Sequence, residues 1–274
     1  MAERLVLFTD LDGALLDVHT YSWHDAEEAL GEIEERKIPL VFCTSKTRAE
    51  VEYLRAKMGN RHPFITENGG GIFIPYGYFN LPMAGAERAG HNHGFALGRP
   101  YAEIVEALEE ISRESGTSVA GFHSMNPREI AANTGLSLEV AQLAAKREFD
   151  EPFFFAASNP KSEQKFLEIA RERGLGVTRG DRFWHLFSGS DKGQAVRKLA
   201  GFFRKSQHGR LRVAAIGSSS NDLPMLAASD IAVLLPTSTG QYDASLLERL
   251  PSLRLAQLAG PAGWNAEVLR ILGQ

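Results

Sequence analysis

The order in which two textures alternate along this chain limits its possible folds more than any single residue does. Leu5-Val6-Leu7-Phe8-Thr9 is a short apolar run that closes on acidic and glycine residues, the pattern of a buried strand reaching the end of a sheet. Ser22-Trp23-His24-Asp25 then has the spacing of a capping box, and Ala26, Ala29, Leu30 and Ile33 recur on one face of a helix. Pro39 to Thr44 is a second buried run, and Thr47 with Glu50 makes another capping box ahead of Val51, Leu54 and Met58. Strand, helix, strand, helix requires crossover connections, which lay the strands parallel. The same texture returns late, with a helix from about Gly193 to Phe203, a strand from Leu211 to Ile216, a helix after Asn221 and a strand from Ile231 to Leu235.

The stretch between has a different character. A short strand at Phe64-Ile65 leads through Asn68-Gly69-Gly70-Gly71 to Ile72-Phe73-Ile74, which predicts a hairpin flap. From about Pro82 onward a loose run of Gly, Ala and His gives way to short helical patterns and β-prone patches, among them Thr117 to Phe122, Phe153 to Phe155 and Phe183 to Phe187. The expected fold is therefore α/β: a Rossmann-like parallel-sheet core formed by residues 1–84 and 188–274, interrupted by an inserted α+β unit at 85–187.

Composition narrows the partners. With 43% hydrophobic and 23% charged residues among 274, the chain can bury a full core. A net charge of -4 and a pI near 6.1 argue against nucleic acid or an anionic membrane as a partner. Cys43 is the only cysteine, which excludes an intrachain disulfide and points to the cytoplasm. No targeting or membrane-spanning segment and no protein partner is read from the chain; any anionic small molecule must be met by local charge.

Asp10-Leu11-Asp12-Gly13 places two carboxylates two residues apart as the chain leaves a strand. One could attack phosphorus while the other handles the leaving-group proton, although the motif alone is equally an acidic turn. Thr44 ends the second strand in the same way, and its hydroxyl, with the backbone of Ser45, could hold phosphate oxygens. Lys192 opens a helix, a position that already favours anions. Asn221 and Asp222 follow a later strand, where hard oxygen ligands suit Mg2+.

These stations, in this order, resemble the haloacid dehalogenase superfamily of phosphotransferases. A closer resemblance lies in Thr66-Glu67-Asn68-Gly69-Gly70, Arg147-Glu148-Phe149-Asp150-Glu151-Pro152-Phe153, Thr178-Arg179-Gly180-Asp181-Arg182-Phe183-Trp184-His185-Leu186 and Asp191-Lys192-Gly193, which look like blocks of the mannosyl-3-phosphoglycerate phosphatases. The resemblance implies Mg2+-dependent hydrolysis of mannosyl-3-phosphoglycerate to mannosylglycerate and phosphate, under a cap formed by the inserted unit. It implies Asp10 as nucleophile, Asp12 as acid and then base, Thr44 and Lys192 as charge-sharing groups, and a metal shell of Asp10, Asp12, Ser218 and Asp222. Ser45, Asn68, Gly69, Arg147, Arg179, Gly180, Arg182 and His185 are its implied substrate contacts, an arginine taking the glycerate carboxylate.

Two residues depart from the superfamily pattern: Ala14 stands where a threonine is usual, and Ser218 where an acid is usual. Alternative substrates are glucosyl-3-phosphoglycerate or a sucrose phosphate, and the alternative class is a weakened protein that only binds a phosphorylated metabolite.

Overall fold

The computed structural model describes residues 3–180, 182–206 and 209–273; Asp181 of the block quoted above lies outside them. Strand β1 (Glu3–Thr9) runs through the protein centre, followed by helix α1 (Glu27–Glu35), β2 (Leu40–Cys43), α2 (Arg48–Met58) and β3 (Phe64–Thr66). Parallel pairing sets Thr9 beside Phe42 of β2, and Phe42 beside Phe64 of β3. The predicted box at Thr47 and Glu50 forms at the start of α2. At Ser22 it does not: the chain enters α1 through a single 3-10 turn, and the Ser22 hydroxyl accepts from the His24 N–H instead.

The glycine run becomes a hairpin, yet not a free flap. Strand β4 (Gly71–Pro75) pairs antiparallel with β3, and β5 (Glu87–Ala89) and β6 (Asn92–Ala96) extend the same sheet. Strands β5 and β6 lie beyond residue 84, where the inserted unit was expected to begin. Because their backbone hydrogen bonds belong to the large sheet, we propose that the insertion starts after Gly98 instead.

That insertion comprises α3 (Tyr101–Ser115), β7 (Ser118–Gly121), α4 (Pro127–Thr134), α5 (Leu138–Ala144), β8 (Asp150–Ala157), α6 (Pro160–Glu172), β9 (Leu175–Arg179) and β10 (Trp184–Ser188). Its strands form a separate antiparallel sheet in the order β7-β8-β10-β9. Ile104, Leu108 and Ile111 of α3 and Phe166 of α6 pack against Phe153 and Leu186 of that sheet, so the unit has its own core.

The chain then returns to the large sheet through α7 (Lys192–Ser206), β11 (Arg210–Gly217), α8 (Leu223–Ala227), β12 (Ile231–Leu234), α9 (Ala244–Arg249), β13 (Arg254–Leu255) and α10 (Gly260–Leu272). The nine strands lie in the order β13-β12-β11-β1-β2-β3-β4-β6-β5. From β1 the chain moves outward first through β2 and later through β11, so the tip of β1 is the point where strand order reverses, where open α/β sheets bind ligands. Trp264 of α10 is fully buried, and its indole N–H donates to the Thr9 hydroxyl at 2.9 Å. Truncating it would cost about 3–5 kcal/mol and loosen the residue preceding Asp10. Among the described residues no helix is long and apolar enough to cross a membrane.

Candidate active site

Parallel register carries β1, β2 and β11 to a common edge, because Thr9 lies beside both Phe42 and Ile216. The residues that follow, Asp10, Thr44 and Ser218, therefore leave the sheet together. Lys192, the first residue of α7, is 1% exposed and reaches this edge from the side. Its ammonium lies 3.0 Å from Asp10 Oδ1 and 2.7 Å from Asp222 Oδ1. Asp222 Oδ2 accepts the backbone N–H groups of Ser218 and Ser219 at 2.9 and 3.2 Å. Burial, then repulsion from Asp222, push Asp10 up to about 7 against the pull of Lys192. Burial opposes a charge on Lys192, but Asp10 and Asp222 outweigh it and hold the ammonium above its usual range.

Asp12 points the other way across the cleft. Its Oδ2 lies 2.9 Å from the Lys46 ammonium, while its Oδ1 is buried without a hydrogen-bond partner among the described residues. Lys46 also lies 3.8 Å from Glu50 Oε1 and 5.1 Å from the centre of the Tyr21 ring. Sequence reasoning passed over Lys46 and Tyr21 and read Glu50 only as a helix cap, yet all three line the cleft with Asp10 and Asp12. No helical spacing marks the lysine, because Lys46 precedes the extended N-cap Thr47 and lies outside α2.

The inserted unit supplies the opposite wall. Gly180, Arg182 and His185 line the cleft, with Arg147 and Ser45. Arg182 donates to the carbonyls of Thr134 and Val18, both neutral, and among the described residues it has no carboxylate partner. Arg147 is already committed: it pairs with Asp150, lies 3.6 Å from Glu67 and donates to the Ser45 carbonyl. His185 is held by the same Asp150 at 3.0 Å. Glu67 in turn accepts the backbone N–H groups of Glu148, Phe149 and Asp150, and burial pushes its carboxyl up to about 7 although Arg147 pulls it down. This clasp ties the large sheet to the strand on which the cap wall is built.

Three expected substrate contacts sit elsewhere. Asn68 donates to Asp150 Oδ2 at 2.6 Å and accepts from Asn221 at 3.2 Å, so both ends of its amide are taken by protein. Gly69 lies against the Asp191 carbonyl, which a Cβ would meet at 2.3 Å; here glycine permits close packing. Arg179 is exposed on β9, stacked over the Trp184 ring at 5.6 Å, outside the cleft lining. Thr44 is fully buried behind Ser45, its hydroxyl accepting the Lys46 N–H at 3.3 Å. Ser218 brings its hydroxyl to 3.5 Å from the Asp12 carbonyl.

An acid at the reversal point of a parallel sheet, clamped by a lysine and covered by an inserted domain, defines the class of cap-bearing phosphoryl-transfer hydrolases. Comparison with known proteins agrees. The family described as haloacid dehalogenase-like hydrolase matches residues 7–78. A glucosyl-3-phosphoglycerate/mannosyl-3-phosphoglycerate phosphatase of Methanococcoides burtonii is 39% identical over 269 residues, covering 98% of this chain and 97% of that one. A mannosyl-3-phosphoglycerate phosphatase of Pyrococcus horikoshii is 34% identical over 230 residues, 84% of this chain and 90% of its own. A solved structure from Thermoplasma acidophilum shares the fold with a TM-score of 0.69 at 19% identity, covering 98% of each chain. The chain belongs to the mannosyl-3-phosphoglycerate phosphatase family of haloacid dehalogenase-like hydrolases, and it is a phosphatase.

Proposed function

We propose that this phosphatase hydrolyses a hexosyl-3-phosphoglycerate, the mannosyl or the glucosyl ester, through a phosphoaspartate on Asp10. The observation that carries the reading is the pairing of Asp10 with Lys192 at the floor of a cleft whose far wall presents Arg182, a cation without a carboxylate partner among the described residues. A phosphate needs the first and a glycerate carboxylate needs the second. The names of the relatives, which carry the same ester, support this choice.

In the first step an Asp10 carboxylate oxygen bonds to phosphorus as the bond from phosphorus to the glycerate 3-oxygen breaks, and Asp12 gives its proton to that oxygen. In the second, Asp12 takes a proton from water as the water oxygen attacks phosphorus, releasing phosphate and restoring Asp10. Lys192 holds Asp10 in line and shares the phosphoryl charge. Arg182 orients the ester by its carboxylate with a forked pair of N–H groups. The cap wall excludes bulk water while the phosphoaspartate exists.

The donor set fits Mg2+. Among the described residues no three His, Cys, Asp or Glu side chains gather closely enough to hold a metal by themselves. The shell would thus draw on the carboxylates of Asp10 and Asp222, the Asp12 carbonyl, the Ser218 hydroxyl and water, a hard and partly hydrated set of the kind Mg2+ takes. Bound there, it would offset repulsion between the attacking carboxylate and the phosphate dianion. Cytoplasmic residence rests on the one cysteine, Cys43, buried and unpaired.

Phosphate release from the mannosyl and glucosyl esters, sucrose 6-phosphate and simple hexose phosphates, with Mg2+ or with EDTA, tests the reading. Chelator-sensitive release confined to the two glycerate esters is expected. Release from none of them at high Mg2+ would transfer the chain to the class of phosphometabolite-binding proteins.

A further inference from the structure

Lys46 has no part in the mechanism above, and no motif marked it, yet its side chain is 8% exposed and ends against the proposed proton donor. We propose that Lys46 is the positioning residue for Asp12, holding one carboxylate oxygen so that the other is presented to the leaving oxygen of the ester. The proposal rests on the reading of Asp12 as acid and base.

Three observations carry it. The Lys46 ammonium takes Asp12 Oδ2 at 2.9 Å, while Asp12 Oδ1 is buried without a partner among the described residues, the state expected of an oxygen kept for a ligand. Lys46 is in turn anchored. Glu50 lies 3.8 Å from its nitrogen, and the other Glu50 oxygen accepts the Thr47 N–H at 2.9 Å and the Thr47 hydroxyl at 3.1 Å. The capping box of α2 thus fixes Glu50, Glu50 and the Tyr21 ring fix Lys46, and Lys46 fixes Asp12. Finally, the arrangement opens onto the cleft rather than into the apolar core, and Asp12 is 29% exposed. Buried ion pairs gain little over apolar packing, so stability alone does not account for two acids and a lysine at this wall.

The test compares an ester that needs a proton with one that does not. Single-turnover cleavage of glucosyl-3-phosphoglycerate, an alkyl ester, and of p-nitrophenyl phosphate, whose phenolate leaves unprotonated, is measured with excess enzyme for wild type, Asp12→Asn and Lys46→Met. Reading only ester cleavage removes the water-activating role of Asp12 from the comparison. Both variants should slow the alkyl ester by about 10²-fold or more and the aryl ester by less than about fivefold, with half-saturation little changed. Equal losses on both esters in Lys46→Met, or no loss on the alkyl ester, would overturn the proposal. A rise in half-saturation confined to the glycerate ester would also overturn it and make Lys46 a carboxylate-binding residue. If Asp12→Asn discriminates between the esters and Lys46→Met does not, only the role of Lys46 fails; if Asp12→Asn does not discriminate, the acid assignment fails and takes Lys46 with it. Should Lys46→Met not fold, Lys46→Ala, which removes the donor and leaves room for water beside Asp12, decides in the same way.

Discussion

Two buried lysines each span two carboxylates in this protein, and the pairs differ in what surrounds them. Lys192 lies between Asp10 and Asp222 in a pocket where its side chain and that of Asp222 are 0% exposed. Lys46 lies between Asp12 and Glu50 at a wall of the cleft, beside a carboxylate that is 29% exposed. In the sealed pair, charge cancellation dominates: without Lys192, two acids would face each other with little solvent to screen them. In the open pair, water can screen whatever the lysine does not, so what Lys46 adds is direction rather than neutralisation. The same chemical device thus balances charge at the proposed nucleophile and sets orientation at the proposed acid.

The largest expected effect breaks the sealed pair. Lys192→Met should lower stability by about 3–5 kcal/mol and abolish turnover, because it leaves Asp10 and Asp222 buried without their cation. Chemical denaturation with activity measured in parallel checks it. Lys46→Met should cost clearly less by the same assay, since Asp12 can be hydrated from the cleft and Glu50 keeps its Thr47 donors. Equal costs would erase the distinction drawn here. Asp10→Asn removes one anion from the sealed pair and should retain the fold while turnover falls by at least ~10³-fold, read from steady-state phosphate release.

A subtler change adds an anion to the sealed side. Ser218→Asp restores a carboxylate next to the Asp12 carbonyl and should tighten Mg2+ binding by about tenfold, as measured by calorimetric titration. Without metal the same variant should melt at a lower temperature than wild type, because a further acid then faces Asp222. A separate effect marks what neither lysine controls. Burial, with repulsion from Arg55, lowers His62 from 6.5 to about 4, and its Nδ1 lies 2.7 Å from the Tyr78 hydroxyl. The unfolded chain takes up this proton from pH 6.5 downward while the native state refuses it, so stability should fall between about pH 6.5 and 4 and then level off. Denaturation across that range should show a flatter profile for His62→Asn, whereas Lys46→Met should keep the wild-type slope from this group.

Much of the catalytic floor was legible because a parallel sheet converts sequence position into spatial position. Each buried run ends at the same edge, so the polar residues just past β1, β2 and β11 had to meet, and Asp10, Thr44 and Ser218 do. Lys192 and Asp222 were legible because each begins a turn or helix aimed at that edge. The wall of the cleft was not legible in the same way. Arg147, His185 and Asn68 read as sugar or carboxylate ligands, but all three converge on Asp150, from 3, 35 and 82 residues away, a convergence that no local pattern announces. The placement of Arg179 was not legible because the face a strand residue takes depends on its pairing; the register of β9 against β10 sets it beside Trp184. The proposed shift of the boundary from residue 84 rests on β5 and β6, short edge strands of mixed polarity recognisable only by the hydrogen bonds they make with the large sheet.

Local sequence therefore determined the class of fold, the reversal point and the acids gathered there, since hydrophobic period and strand-end position are properties of neighbouring residues. Tertiary structure alone decided which cations stay free for a substrate and which are consumed. Glu67 and Asn68 illustrate the reason: their left-handed backbone, at φ 48° and 55°, turns one side chain onto the N–H groups of residues 148–150 and the other onto Asp150. Whether a charged side chain meets solvent, a partner or a ligand depends on segments brought together from distant parts of the chain. That long-range choice left Arg182, among the described residues, with carbonyl partners and Lys46 against Asp12.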